Sequence, residues 1–76
     1  MINRTLDGAR KGKYITVLSL PEGVLRVQLI RLGITIGDKI FCVERLPGGT
    51  VVIQKNRQEI ALGYELARQI SISEDH

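Results

Sequence analysis

The sequence predicts a mainly β protein: a small, partly open barrel of about five short strands, with one short helix between the first and second. Three observations predict it. Ten Ile, six Val and four Thr give 20 β-branched residues against three Ala, and such side chains lose rotamer freedom in helices but pack well on a pleated sheet. From residue 38 onward, short apolar stretches with a period of two recur between turns bearing Gly, Pro and Asn. One stretch alone, about 24–32, carries a convincing helical period instead.

Residues 1–12 are polar, with Gly8 and Gly12 set around the basic residues Arg10, Lys11 and Lys13, and they are assigned no strand. Tyr14-Ile15-Thr16-Val17-Leu18 is short and β-branched, the first strand. Ser19-Leu20-Pro21-Glu22 has the form of a capping box, with Pro21 suited to a first helical turn because its missing N–H would be unpaired there anyway. Leu25, Leu29 and Leu32 then recur at i, i+4 and i+7, and Gly33 follows as a left-handed stop. Asp38–Arg45 alternates, with Ile40 and Cys42 on one face and Phe41 and Val43 on the other. Pro47-Gly48-Gly49 is a turn, Val51–Lys55 the returning strand, and Asn56-Arg57-Gln58 a second tight turn. Ile60 and Leu62 mark the next strand, Tyr64–Arg68 a helical turn, and Ile70-Ser71-Ile72 a closing strand. Glu74-Asp75-His76 is expected to be a frayed tail.

A length of 76 residues and a net charge of +3 fit a single domain, 1–76, with no linker or repeat. No apolar run approaches the roughly 20 residues that span a bilayer, so direct membrane insertion is not expected. The lone Cys42 has no disulfide partner within the chain, which fits a reducing compartment, and a soluble cytoplasmic domain is the expectation.

Chemistry is sparse. Gly8 to Tyr14 resembles a phosphate loop only faintly: three residues rather than four separate the glycines, and Tyr14 rather than Ser or Thr follows Lys13. Cys42, His76, Met1 and the carboxylates are the whole ligand inventory, and no pair has metal-ligand spacing. Cys42 alternates with Ile40 as a small buried hydrophobe would. A nucleophile–base pair would have to recruit His76, so no catalytic set, cofactor or metal site is assigned and the chain is not read as an enzyme. The runner-up reading is a nucleic-acid-binding barrel centred on Arg10, Lys11, Lys13 and Tyr14. Three aromatics and a charge of +3 are a weak platform for bases and phosphates.

The helix holds more apolar area than one stripe explains, because Val24, Val27 and Ile30 lie off the leucine stripe, with Arg26 and Arg31 beside them. Economy in a small barrel favours packing these residues against its open end; the other use is contact with a partner protein.

Residues 26–37, Arg26-Val-Gln-Leu29-Ile30-Arg-Leu32-Gly33-Ile34-Thr-Ile36-Gly37, resemble the FeoA family's helix ending in Leu-x-x-Leu-Gly with a second Gly four residues on. Leu6, Gly12 and Ile15-Thr16-Val17 resemble the family's opening, Ile40 and Cys42 stand for its alternating valines, Ile60-Ala61-Leu62 resembles its late strand, and Ala67-Arg68-Gln69-Ile70 its return into the last strand. The resemblance spans about residues 5–73. It departs at Leu46-Pro47-Gly48-Gly49-Thr50, where the family often has Pro-Leu-Gly-Asp-Pro, and at Gly63, where Arg is frequent. A related barrel is appended to iron-dependent repressors, but a DNA-binding domain is not expected beside this one. The resemblance implies an SH3-like barrel, cytoplasmic, that assists ferrous iron uptake by docking on the FeoB membrane GTPase and permease, and so sits at the inner face of the membrane. Arg26, Leu29 and Ile30 are the implied contacts. Weak self-association is a further expectation. Carriage of a transition metal ion by the domain itself would lack a preformed site, given one Cys and scattered carboxylates.

Overall fold

The computed structural model describes residues 2–74, with side chains from Arg4 onward; the expected frayed Asp75 and His76 lie outside the described residues, as does Met1. The chain runs β1 (Ile2–Thr5), a 3-10 turn (Leu6–Gly8), β2 (Tyr14–Ser19), α1 (Val24–Arg31), β3 (Lys39–Arg45), β4 (Val51–Lys55), β5 (Gln58–Leu62), α2 (Tyr64–Ala67) and β6 (Ser71–Glu74). The strands form one antiparallel sheet in the order β1-β6-β2-β3-β4-β5. β1 and β5 are its outer strands and do not pair with each other, so the barrel is open. The mainly β architecture with a helix between β2 and β3 is the expected one.

The strand count is corrected from five to six. The missing strand is β1, whose residues pair with β6 in the register Arg4 opposite Ile72 and Thr5 opposite Ser71. Its sequence, Ile-Asn-Arg-Thr, carries little apolar signal; its hydrogen-bond partners lie at the far end of the chain. Leu6 follows it into the core, 1% exposed, and its N–H donates to the Ile70 carbonyl at 2.9 Å.

The interior is aliphatic. Leu6, Ile15, Val17, Leu29, Ile34, Ile40, Cys42, Val51, Ile53, Ile70 and Ile72 are each no more than 1% exposed. β3 obeys the predicted alternation through Ile40 and Cys42, then an irregularity intervenes: Cys42 opposes Ile53 but Glu44 opposes Val52, leaving Val43 as the extra residue of a bulge. Leu18 is the corresponding extra residue in β2, between Val17 opposite Ile72 and Ser19 opposite Ser71. Such bulges bend a strand and increase its twist, which curls a short sheet toward closure.

The helix begins differently from the prediction. Ser19 ends β2 rather than capping α1, the N-cap is Gly23 at φ +73°, and no side chain caps the first turn. Pro21 therefore lies ahead of the helix. The tie between the β2–α1 loop and the helix is Arg26, whose guanidinium donates to the carbonyls of Pro21 (3.1 Å) and Leu20 (3.2 Å) and meets the Glu22 carboxylate at 3.3 Å. The C-terminal end matches expectation: Gly33 takes φ +92° and the Ile34 N–H donates to the Leu29 carbonyl at 2.9 Å. Beyond it, the Lys55 ammonium donates to the Gly33 carbonyl and to Asp38 Oδ2, the latter at 2.6 Å, fastening the helix end to β4.

Two further details differ. The β4–β5 turn is the two-residue pair Asn56-Arg57, both at positive φ (52° and 67°), and Gln58 already opposes Lys55 as the first residue of β5. Glu74 is no part of a frayed tail: it closes β6 at 4% exposure, with its carboxylate taking the Arg10 guanidinium at 3.0 Å and the Arg10 backbone N–H at 3.3 Å. A solvated backbone end has no such partner waiting; the ion pair makes burial of this acid tolerable.

Candidate functional site

α1 is eight residues long and buries a single one, Leu29. At about 100° per residue, Val27 points some 160° away from Leu29. The side chains follow that geometry: Val24 is 71% exposed, Val27 49% and Ile30 48%. The expectation that the barrel's open end would cover these residues is therefore overturned. The core needs only one anchor from the helix, supported by half-buried Leu25, and the spacing of three carries the others outward. Leu32, assigned to the core stripe, is also exposed. Covering each half-exposed aliphatic side chain with a partner gains about 1 kcal/mol.

The three contact residues taken from the family resemblance separate in space. Ile30 stands on the outer face. Arg26 is half-buried and holds the loop ahead of the helix. Leu29 is 0% exposed, so it anchors the helix and offers no surface. Val24 and Val27 belong with Ile30; their three-residue spacing was the signal that should have put them outside.

Two of the three cations in the basic segment after the 3-10 turn are engaged. Arg10 pairs with Glu74, and the Lys11 ammonium lies 3.3 Å from Glu44. The backbone is pinned as well, the Gly12 N–H donating to the Cys42 carbonyl and the Cys42 N–H to the Lys13 carbonyl. A segment tied to β3, with two of its three cations already on carboxylates, is a poor phosphate platform. Tyr14 turns to the sheet's outer surface, packing its ring on Phe41 with centroids 4.9 Å apart.

Cys42 lies fully buried among the core residues, as its alternation with Ile40 predicts. Burial pushes its thiol up from the ordinary value, and the Arg45 charge only partly opposes this. A thiol so placed is a packing group rather than a nucleophile. Among the described residues no cluster of three or more His, Cys, Asp or Glu is placed to hold a metal ion. No described helix is long and apolar enough to cross a membrane.

An open six-stranded barrel with one outward apolar helix defines a small β-barrel domain, and the comparisons identify its family. The FeoA domain family matches residues 4–74, nearly the whole chain: the chain belongs to the FeoA family. Membership ties it to iron uptake. Solved structures agree in fold. A crystal structure of the iron uptake regulatory protein FeoA is 24% identical with a TM-score of 0.85, covering 96% of this chain and 99% of that one. An NMR structure of a FeoA-like protein from Clostridium acetobutylicum is 19% identical with a TM-score of 0.80, covering 96% and 87%. A manganese-dependent transcriptional repressor shares the fold at 19% identity and a TM-score of 0.80 over 92% of this chain but 40% of its own. No curated protein matches. The SH3-like class expected from the sequence stands.

Proposed function

We infer that the chain is an accessory domain of ferrous iron uptake that docks through the outer face of α1 on a FeoB-like membrane GTPase and permease, at the cytoplasmic side, and modulates it. The supporting observation is the exposed row Val24, Val27 and Ile30 on a helix anchored by Leu29 alone. Such a row costs solubility unless a partner covers it. Docking needs no catalytic set and no metal cage, and it leaves hydrolysis and transport to the partner.

The test is a pull-down of the tagged domain from membranes of its source, comparing the wild type with Ile30→Asp and checking the fold of each by circular dichroism. Recovery of a polytopic GTPase by the wild type, lost with Ile30→Asp in a folded domain, supports the reading. Undiminished recovery by Ile30→Asp removes the helix as the contact. GTP hydrolysis by the recovered partner, with and without the domain, then reads the direction of modulation.

A further inference from the structure

Residues 21–36 carry α1 across from β2 to β3, and little holds them to the sheet. Their buried side chains are Leu29 and Ile34, with Leu20 just ahead of them. Their hydrogen bonds are nearly all internal. The Arg26 guanidinium reaches the carbonyls of Leu20 and Pro21 and the Glu22 carboxylate, which ties the entry loop to the helix. The N–H groups of Leu32, Gly33 and Ile34 donate back into the helix, and the Thr35 N–H donates to Asp38 Oδ2 at 2.8 Å. Among the described residues, a single hydrogen bond of this segment reaches beyond residues 20–38. It runs from the Lys55 ammonium in β4 to the Gly33 carbonyl.

That bond is well supported from the sheet side. The same ammonium meets Asp38 Oδ2 at 2.6 Å, with the two side chains only 24% and 20% exposed. Asp38 is itself fixed, because its backbone carbonyl accepts the Val17 N–H at 2.9 Å, so its carboxylate aims the ammonium at the helix end. A cation on the carbonyls that end a helix also meets the negative pole of its dipole. Gly37 joins the segment back to the sheet through its N–H on the Val17 carbonyl at 2.8 Å. It stands at φ +93° with open space where a Cβ would lie.

We propose that residues 21–36 form a flap that opens as one unit while the six-stranded sheet stays paired, and that Lys55 is its latch. Segments with few buried apolar side chains and few hydrogen bonds to their surroundings are the ones that open locally. Here the polar part of the attachment is one charge-assisted bond, a kind stronger than a neutral one. Once it breaks, Leu29 and Ile34 are the buried side chains left to hold the flap. Opening carries Val24, Val27 and Ile30 off the barrel together. The proposal concerns the free protein and does not rest on the docking reading; under that reading, docking selects the latched form.

The test is native-state hydrogen exchange of the isotopically labelled full chain, read amide by amide by NMR. In the wild type, the amides of Leu32, Gly33 and Ile34 should be less protected than those of Cys42 and Ile53 in the sheet. Lys55→Met keeps the side-chain stem and removes the ammonium, and it should lower protection at Leu32, Gly33 and Ile34 about tenfold. Lys55→Arg keeps a cation with donors and should return them to within about threefold of the wild type. A contact that merely adds to global stability, and survives local opening, would instead lower protection only in the sheet. Three results overturn the proposal: equal protection of flap and sheet in the wild type, flap amides unmoved by Lys55→Met, or the same loss with Lys55→Arg as with Lys55→Met.

Discussion

Gly48 and Gly49 provide a matched pair that separates backbone strain from steric exclusion. Both lie in the left-handed region, at φ +92° and +94°. A Cβ on Gly48 meets nothing within 4 Å, whereas one on Gly49 falls 2.8 Å from Tyr64 Cδ1 and 2.9 Å from Tyr64 Cβ. Gly48→Ala therefore carries the conformational cost alone, about 1–2 kcal/mol. Gly49→Ala carries the same cost plus the displacement of Tyr64. The ring is 47% exposed and can swing aside, but its Cβ is fixed by α2, so a further 1–2 kcal/mol or so is expected. Urea unfolding followed by circular dichroism measures both, and the extra loss corresponds to a fall in Tm of about 4–8 °C per kcal/mol for a domain of this size. Adding Tyr64→Ala to Gly49→Ala should recover the ring's part of the difference. Equal losses in Gly48→Ala and Gly49→Ala would refute the reasoning and show that the β3–β4 hairpin is free of α2.

Leu29→Ala should cost about 2–4 kcal/mol in urea unfolding, because it opens a cavity under α1, whereas Ile30→Asp on the outer face should cost less than about 1 kcal/mol; similar losses would put both residues in the core. Partial burial pushes the Asp38 carboxyl up, but hydrogen bonds from Lys55 and Thr35 and the Lys55 charge outweigh it and leave the group below its ordinary 3.8. Its contribution to stability is thus full above the unfolded-state value and lost as pH falls through the lower folded one, so Asp38→Asn should flatten the acid limb of a plot of Tm against pH. Cys42 should resist thiol reagents in the native protein and react at the rate of unfolding, and rapid stoichiometric labelling without denaturant would contradict its burial.

What the sequence made legible was local. The helix from Val24, its stop at Gly33 and the alternation of Ile40 with Cys42 follow from periods and turn chemistry within a few residues. β1 was not legible, because Ile-Asn-Arg-Thr becomes a strand only through β6 at the other end of the chain. The capping box failed for a related reason: Ser19 is held in β2 opposite Ser71, and sheet pairing outcompetes the local hydroxyl–amide bond. Glu74 reads as tail because its partner, Arg10, lies 64 residues away in the chain. At the candidate site, the family pattern named α1 and three of its residues. Which residues face outward depended on how little of that helix the barrel covers, which no local pattern encodes. Likewise, Tyr14 of β2, Phe41 of β3, Gln54 of β4 and Arg57 of the β4–β5 turn come to line one open pocket only in the assembled sheet.

The position of β6 between β1 and β2 governs how the molecule is made. A ribosome delivers β1 and β2 first, and each then has an unpaired side until residues 71–74 emerge and slot between them. No product lacking residues 71–74 can complete the sheet, so folding waits for them and rests on contacts of long sequence separation, which form slowly. During that interval β2 offers an unpaired strand edge to any neighbouring nascent chain. A premature stop just before Ser71 would therefore yield an aggregating species rather than a slightly shortened domain.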